Sequence, residues 1–386
     1  MKPDDRWARA ALSRLAEPSD AEVHGLVASV GPLETVHRIH EGVGRLSRFA
    51  ARVAALDTER DRAIAATVGA RLLVPDDEEW PARLDDIELP PWCLWVRGPL
   101  HLGDAVERSV AVVGSRTATS YGEQVAADLS AGLATRGWTV VSGAAFGIDG
   151  SAHRGALAVD GATIAVLAGG VERPYPAAHS ALIKRIAQHG LVVSEVAPGS
   201  APMKSRFLSR NRLIAGMTRG TVVVEADLRS GSRNTVRHAI DAGRPVGAVP
   251  GPITSMASSG CHQEIRDGRA ALVTSAEEVI DLVGDLGADA CEPLHGPVLA
   301  GDGLSLLDAA VLEAVPFRVG ADLDRLVVAT AQPAIGIRAA LGRLERADLV
   351  TESEGRWRKR PVRPVRPVRP VRPLRPDSPA SPANTD

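Results

Sequence analysis

Near the middle of this chain, a loop with hydroxyl groups and a glycine comes directly after an apolar run that predicts a buried strand. Residues 221–225, TVVVE, form a short β-branched run of the kind that fills the centre of a parallel sheet. The polar loop after it contains Ser230, Gly231 and Ser232, just before the next helical pattern. Ligands of open parallel sheets bind outside the carboxyl ends of the strands, so these three residues are candidates for binding an anion.

A second candidate segment is VVGSR, residues 112–116, which precedes another helical pattern. A strand that ends in Gly-Ser at a helix entrance exposes backbone N–H groups beside Ser115, and Arg116 adds a forked donor that matches phosphate geometry. A dinucleotide site would need G-x-G-x-x-G, whereas residues 114–119 are GSRTAT. The sequence therefore favours phosphate binding and disfavours an NAD enzyme.

A third segment is SGAAFGIDGSAH, residues 142–153, in which Ser142 and Gly143 follow an apolar run. Asp149 is placed to cap the helix that follows. His153 is compatible with catalysis, but a single histidine in a helical turn is more often a hydrogen-bonded structural residue. Further along, Tyr175 is either a stacking surface or the anchor of a two-proline turn.

Arginines are concentrated in SRFLSRNRLIAG, residues 205–216, which has a helical pattern. Arg206 and Arg210 are four residues apart and are predicted to share one helix face. Arg212 points elsewhere, and we expect it to turn inward towards Glu225, at the end of the buried strand.

Catalytic machinery is not evident in the sequence. It has no G-x-S-x-G elbow, no Walker A loop and no zinc-ligand set. The three cysteines, Cys93, Cys261 and Cys291, lack metal-ligand spacing and are predicted to be free thiols. Amides, hydroxyls and arginines bind anions without cleaving them, so we expect no catalytic residue, no metal and no cofactor.

The elements that position these residues are strands alternating with helices over residues 109–284. Seven apolar runs separated by helical stretches predict a doubly wound parallel sheet, an α/β Rossmann-like fold. Gly137, Gly190 and Gly243 stand where preceding helices should end. Two short strand-like runs within residues 71–98, RLLV and WCLWV, are expected to add an edge to this sheet.

Regions of other character flank this domain. Residues 1–70 predict short helices, which form either a sterile-alpha-motif-like or helix-hairpin-helix nucleic-acid module or a packing domain. A Gly- and Pro-rich linker is expected over residues 285–303. Residues 304–359 predict a winged helix, and its third helix carries Arg338, Arg343 and Arg346 beside acidic residues. Winged helices bind DNA or protein, and both interpretations stay open.

The end of the chain, residues 360–386, is predicted to be a disordered tail that repeats Arg-Pro-Val. Proline at every third position favours polyproline II, which would place the arginines along one edge as a cationic strip. A solvated low-complexity tail explains the composition equally well.

Charge and hydropathy limit the partners and the location. The chain carries a formal charge of −2, but residues 356–375 hold nine basic residues and no acid, which leaves −11 for the rest. A polyanion must therefore be bound by a local cluster or by the tail. No apolar run reaches membrane-spanning length and the first residues lack a signal-peptide core, so we expect a cytoplasmic protein without a membrane partner.

Seven segments in register carry a resemblance to a known family. They are VAVVGSRTATSYG, VSGAAFGIDGSAH, TIAVLAGGVERPYP, SEVAPG, RFLSRNRLIAG, VVVEADLRSGS and AVPGPI. On these motifs the chain resembles the DNA-processing protein A (DprA, also called Smf) family, closely over residues 80–284. The resemblance implies an extended Rossmann domain that forms homodimers and binds single-stranded DNA in a positive pocket. It also implies a protein that protects incoming DNA during natural transformation and loads the RecA recombinase on it.

The resemblance also implies which residues contact DNA. The family's motif positions correspond here to Arg116, Ser142, Gly143, Phe207, Arg210, Asn211 and Arg212. Arg116 would grip phosphate and Phe207 would stack on a base, whereas Arg212 could equally form a buried structural pair with Glu225.

The chain departs from the family pattern at several positions. Phe146 stands where the family commonly has arginine and His179 where it has asparagine; Leu208 replaces a proline, and Arg233 and Asn234 replace apolar residues. An alternative function is that of a nucleotide-processing phosphoribohydrolase on a related fold. The Pro-Gly-Gly-x-Gly-Thr-x-x-Glu motif of that group is absent from the sequence.

Overall fold

The computed structural model describes residues 3–285, 287, 289, 290 and 302–360. The chain divides into two compact units, residues 1–291 and 292–386. Most of the predicted linker and all but the first residue of the predicted tail lie outside the described residues. Among the described helices, none is both long and apolar enough to cross a membrane.

Nine short strands form the central sheet of the first unit. They are β1 (Ala70–Leu73), β2 (Leu94–Arg97), β3 (Ser109–Val113), β4 (Thr139–Ser142), β5 (Thr163–Val166), β6 (Leu191–Ser194), β7 (Gly220–Val223), β8 (Val246–Ala248) and β9 (Ala271–Leu272). Their order in the sheet is β1-β2-β6-β5-β4-β3-β7-β8-β9. The seven predicted strands, β3 to β9, pair in parallel, and the lead-in strands β1 and β2 extend one edge antiparallel, as predicted.

The direction of winding reverses at β3. From β3 the chain adds β4, β5 and β6 on one side, and then returns to place β7, β8 and β9 on the other. Val110 of β3 pairs with Gly220 of β7, and Val113 pairs with Val223. Such a reversal leaves a crevice outside the carboxyl ends of the two central strands, because their connections run to opposite sides.

Helices cover both faces of the sheet and precede it. The described helices of this unit are α1 (Pro3–Leu15), α2 (Ala21–Val30), α3 (Pro32–Glu41), α4 (Ala50–Ala54), α5 (Thr58–Thr67), α6 (Leu102–Glu107), α7 (Ser120–Thr135), α8 (Ile148–Ala158), α9 (Ser180–His189), α10 (Lys204–Gly216), α11 (Ser232–Asp241), α12 (Ser259–Arg266) and α13 (Ala276–Val283), with 3₁₀ turns at Gly44–Phe49, Ala82–Asp86, Ala177–His179 and Met256–Ser258.

Alternation along β3 shows how the two faces are filled. Val110 and Val112 pack with α7, α8 and α13 on one face, and Ala111 and Val113 pack with α6, α10 and α11 on the other. Successive side chains of a strand point to opposite faces, so a continuous apolar run is what a doubly covered sheet requires. The Rossmann-like α/β prediction is confirmed.

Local signals set several helix boundaries. Ser275 accepts a hydrogen bond from the N–H of Glu278 at the start of α13 and so caps that helix. Gly190 ends α9, and Gly137 and Gly243 follow the ends of α7 and α11 with positive φ, as predicted.

The amino-terminal helices α1 to α5 pack directly on the sheet domain. Ala10 of α1 and Ala65 of α5 belong to the same apolar cluster as Trp95 of β2. The His24 ring stacks on Trp92 with centroids 4.5 Å apart, and Arg14 forms ion pairs with Asp61. These helices therefore share a core with the sheet.

In the second unit, the described residues 302–360 form three helices followed by a two-stranded hairpin, the order that a winged helix requires. They are α14 (Leu306–Ala314), α15 (Leu323–Thr330), α16 (Ala334–Arg346), β10 (Val350–Ser353) and β11 (Arg356–Lys359). Of the three arginines predicted for DNA recognition on α16, Arg343 is held by Asp308 of α14, with Nη2 and Oδ1 2.6 Å apart. DNA recognition by this unit stays a prediction.

Candidate nucleic-acid interface

A cavity of about 370 Å³ lies at the carboxyl ends of β3 and β7, where the winding reverses. Eight of the predicted site residues line it: Ser115, Arg116, Phe207, Arg210, Asn211, Ser230, Gly231 and Ser232. The structure thus brings together residues from the loop after β3, from α10 and from the loop before α11.

Glu225 holds the loop that carries Ser115 and Arg116. Its carboxylate accepts hydrogen bonds from the backbone N–H of Thr119 at 2.8 Å and from Oγ1 of Thr119 at 2.6 Å. Its backbone oxygen accepts from the N–H of Ser115 at 2.7 Å. A Cβ on Gly122 would lie 2.3 Å from Oε2 of Glu225, so a glycine is required there. Glu225 is therefore a structural clamp for the rim of the cavity.

Arg116 presents an unpaired charge at the rim. Its side chain is exposed, and among the described residues it forms no ion pair. The guanidinium carbon lies 4.9 Å from the centroid of the Phe207 ring, which in turn lies 5.5 Å from the ring of Tyr175. A cation and two aromatic rings therefore form a continuous row, in which Tyr175 is half exposed.

Arg210 contributes a second cation from inside the wall. Only 4% of the residue is exposed, and its Nη1 donates to the backbone oxygen of Val166. A Cβ on Gly143 would lie 2.1 Å from that Nη1, so Gly143 leaves the room that the guanidinium occupies. Burial lowers the pKa of Arg210 to about 10, and the Asp149 carboxylate acts in the opposite direction. Arg210 thus stays charged at neutral pH.

Asp149 lies in the cavity wall and does not cap a helix, contrary to the prediction. Its Oδ2 accepts from the N–H of Gly143 at 3.1 Å and from that of Ala145 at 3.4 Å, so the carboxylate fixes the preceding loop. Burial raises the pKa of Asp149, and the charge of Arg210 opposes that shift. The Asp149 carboxylate and the Arg210 guanidinium therefore stabilise each other's charged form.

Hydroxyl groups surround the start of α11. Oγ of Ser230 and Oγ of Ser232 are 2.7 Å apart, and the N–H of Ser232 donates to Oγ of Ser230 at 3.3 Å. Asn211 of α10 reaches this segment through a 3.2 Å bond from Nδ2 to Oδ1 of Asn234. The first turn of a helix carries backbone N–H groups without helical partners, so this loop suits an anionic oxygen.

Three predicted site residues do not line the cavity. Ser142 is fully buried, and its Oγ donates to the backbone oxygen of Val112 inside the sheet at 2.7 Å. Gly143 lies behind Arg210. Arg212 does not approach Glu225; it forms a buried pair with Glu195, with Nη2 and Oε2 2.6 Å apart.

Arg206 and Arg210 start from neighbouring positions on α10, as predicted, but their side chains take different partners. Arg206 turns to the amino-terminal helices, where its Nε lies 2.8 Å from Oε2 of Glu17. Arg210 turns into the cavity wall. The two residues are 40° apart on an ideal helix, at about 100° per residue, and their long side chains diverge from there.

Lys204 is a cavity residue that the sequence prediction missed. It lines the cavity from the first turn of α10, is exposed, and forms no ion pair within the described residues. It precedes Phe207 by three positions, Leu208 by four and Asn211 by seven. That spacing marks one helix face, so the sequence contained a signal for Lys204.

His153 is structural, as its more common role suggests. The residue is fully buried and its Nδ1 lies 2.7 Å from Oγ1 of Thr163. Burial lowers the pKa of His153 to about 3, so the ring is neutral at physiological pH. It does not line the cavity and is not placed for acid–base chemistry there.

Unpaired cations, helix starts and the Phe207 ring lie together in one cavity at the sheet reversal, an arrangement that suits an anionic ligand with planar groups. Residues 71–284 match the family model for DNA recombination-mediator protein A. A Mycobacterium tuberculosis protein named as DNA processing protein DprA is 46% identical over 369 residues, which span 91% of this chain and 93% of that protein. The chain belongs to the DNA recombination-mediator protein A family.

Solved structures show the same relation. DNA processing protein A from Streptococcus pneumoniae superposes with a TM-score of 0.62 at 32% identity, covering 74% of this chain and all of that one. DNA processing protein A from Helicobacter pylori, whose structure describes a single-stranded DNA binding mode, gives a TM-score of 0.50 at 29% identity, covering 55% of this chain and 94% of that one. None of these names states an enzymatic reaction.

Proposed function

We propose that this protein binds single-stranded DNA in the cavity at the sheet reversal and does not cleave it. The observation that carries the proposal is the contact of the Arg116 guanidinium with the Phe207 ring at the rim. A phosphate can bind the cation while the neighbouring base stacks on the aromatic row, and such stacking tolerates any base sequence.

Three cations supply the phosphate contacts in this proposal. Arg116 and Lys204 are exposed and without ion pairs in the described chain, and the buried Arg210 lines the same cavity. The serine loop before α11 adds hydroxyl and N–H donors. Two carboxylates, Asp149 and Asp227, line the cavity as well, so with three cations the lining keeps a formal charge of 3 − 2 = +1, which favours an anion.

A single strand suits this site better than a duplex. The aromatic rings that could contact a base, Phe207 and Tyr175, stand side by side at the cavity, 5.5 Å apart. Bases in a duplex are stacked on each other and hide their faces, whereas unpaired bases can stack on protein rings. The single-stranded DNA binding described for the Helicobacter pylori relative supports the same choice.

The partners implied by family membership belong to the same proposal. We infer that the bound strand is passed to the RecA recombinase and that the protein acts as a homodimer. One edge of the sheet supports the second inference, because within the described part of the chain β9 pairs only with β8, and its Leu272 is 53% exposed. An open edge with an exposed apolar side chain is a surface on which a second copy can pair.

The test is fluorescence anisotropy of a labelled oligothymidine with the wild type and with Arg116→Ala over a salt series. We expect the variant to lose at least about ten-fold in affinity, and the slope of log K against log salt to fall by about 0.7, the loss of one phosphate contact. Arg237→Ala is the matched control, since Arg237 is exposed on α11 and pairs only loosely with Asp241 at 3.7 Å.

Two results would overturn the proposal. Equal affinity for a duplex competitor would remove the preference for unpaired bases. Binding that is unchanged in Arg116→Ala would place the DNA elsewhere on the chain. Release of a base from nucleoside monophosphates, measured in the same preparations, would instead favour the phosphoribohydrolase alternative.

A further inference from the structure

Beside the cavity, the ring of Phe146 is in contact with His179. Their ring centroids are 5.0 Å apart with an interplanar angle of 60°, an edge-on arrangement. Phe146 is 48% exposed, whereas His179 is buried. An edge-on contact leaves at least one face of the Phe146 ring uncovered, so a large apolar surface is held open to solvent.

Its chain neighbours place Phe146 at the rim of the cavity. Ala145 lines the cavity. Gly147 lies so close to the loop after β3 that a Cβ on it would be 2.3 Å from the backbone oxygen of Ser115 and 3.0 Å from that of Arg116. The Phe146 ring therefore projects from a turn that is fixed on both sides against the cavity wall.

The ring is also held from below. Nδ1 of His179 lies 3.0 Å from the backbone oxygen of Ala144, which orients the imidazole under Phe146. Arg154 approaches the same place, because its Nη2 and the His179 ring would both contact a Cβ on Gly150. Arg154 is exposed and forms no ion pair within the described residues. Its Nη2 also donates to Oγ of Ser151 at 3.3 Å. An aromatic face with a cation near it provides the two kinds of group that a nucleotide needs, one for the base and one for the phosphate.

We propose that Phe146 is a second base-stacking subsite, next to the cavity, for a further nucleotide of the bound single strand. His179 orients the ring and Arg154 contacts the phosphate. This inference rests on the proposed function and extends it along the strand.

The experiment compares Phe146→Ala, Phe146→Trp and Val159→Ala with the wild type in the anisotropy assay. Loss of one stacked base should weaken oligothymidine binding about 5- to 100-fold in Phe146→Ala, and Phe146→Trp should retain binding. The salt slope should stay unchanged, since no charge is removed. Val159 is a matched control because it is an exposed apolar residue at the other end of α8.

A spectroscopic arm reports stacking directly. A single 2-aminopurine is moved along an oligothymidine, and its fluorescence is quenched where the base stacks on a ring. At one position the quenching should be lost in Phe146→Ala and kept in Arg154→Ala, which should instead lower the salt slope. Thermal unfolding of each variant checks folding; the exposed side chains should leave it unchanged.

The outcomes separate the two proposals. If Arg116→Ala weakens binding and Phe146→Ala changes neither affinity nor quenching, the second subsite is wrong and the proposed function stands. If Phe146→Ala loses affinity with a lower salt slope, the residue acts through a charge and the stacking role is wrong. If the wild type does not bind oligothymidine, both proposals fail.

Discussion

On one face of helix α10 the cationic side chains are paired with carboxylates, and on the other face they are not. On the face towards the amino-terminal helices, Arg206 is paired with Glu17 and Arg212 with Glu195. On the face towards the cavity, Lys204 has no carboxylate partner in the described chain, and Arg210 is bound to a backbone oxygen. The paired arginines fasten the helix, and the cations left without partners are available to a ligand.

The face of α10 with the paired arginines should contribute most to the stability of the fold. Replacing Glu195 by alanine leaves the Arg212 guanidinium buried without its partner, since both side chains are 6% exposed. We expect the free energy of unfolding to fall by about 3–5 kcal/mol, because the remaining charge keeps its desolvation cost. Urea denaturation measures the loss.

A matched variant tests that expectation on an exposed pair. Asp241→Ala removes the partner of Arg237 on the surface of α11, and should change the free energy of unfolding by less than about 1 kcal/mol. Equal losses in Glu195→Ala and Asp241→Ala would show that burial does not distinguish these pairs.

The face of α10 towards the cavity should contribute most to DNA binding. Lys204→Ala should weaken oligothymidine binding by about ten-fold and lower the salt slope by about 0.7, as expected for one lost phosphate contact. Arg206→Ala, two residues away on the paired face, should leave that slope unchanged. Anisotropy titrations at several salt concentrations measure both.

The reverse pattern would contradict the comparison. A larger loss in Arg206→Ala than in Lys204→Ala would place the DNA on the face that the amino-terminal helices cover.

The smallest effect is expected in the pH dependence of the Glu17 contacts. The hydrogen bond from Arg206 lowers the pKa of Glu17, with a further contribution from Arg52, while burial acts in the opposite direction. A carboxylate with a lowered folded pKa stabilises the fold above its unfolded value of about 4.3, and this contribution is lost as the pH falls through the folded pKa.

The variant Glu17→Gln removes the charge of Glu17 and so isolates its pH-dependent contribution to stability. The wild type should be more stable than the variant by about 1 kcal/mol or less at pH 7, because the Glu17 side chain is 27% exposed and solvent screens the pair. The difference in stability should close in denaturation curves as the pH falls below about 4.3 and through the lowered folded pKa of Glu17. If the difference in stability persists at low pH, it comes from the packing of the side chain and not from its charge.

Strand positions were predictable because each depends on a local pattern. The run at residues 221–225 is continuous and β-branched, and a sheet covered on both faces requires such a run. The place of the cavity followed from the same pattern, since ligands of parallel sheets bind at the carboxyl ends of strands. Lys204 was predictable from helix spacing but was overlooked.

The partners of the arginines were not predictable in this way. Glu17 and Arg206 are 189 residues apart in the chain, so nothing in the local sequence marks them as a pair. Ser142 is the last residue of a strand that was correctly predicted, but its hydroxyl satisfies Val112 inside the sheet. Strand assignment alone does not show which way an end residue turns.

By itself, the sequence determined the α/β sheet, the sheet edge at which the cavity lies, the family and eight of the residues that line the cavity. These follow from short-range periodicity and from motifs whose residue types suit anions. Only the tertiary structure decided which cations remain without carboxylate partners and which rings stand together, such as Phe146 and His179. Those contacts join distant parts of the chain, and the packing that brings them together is not encoded in any one segment.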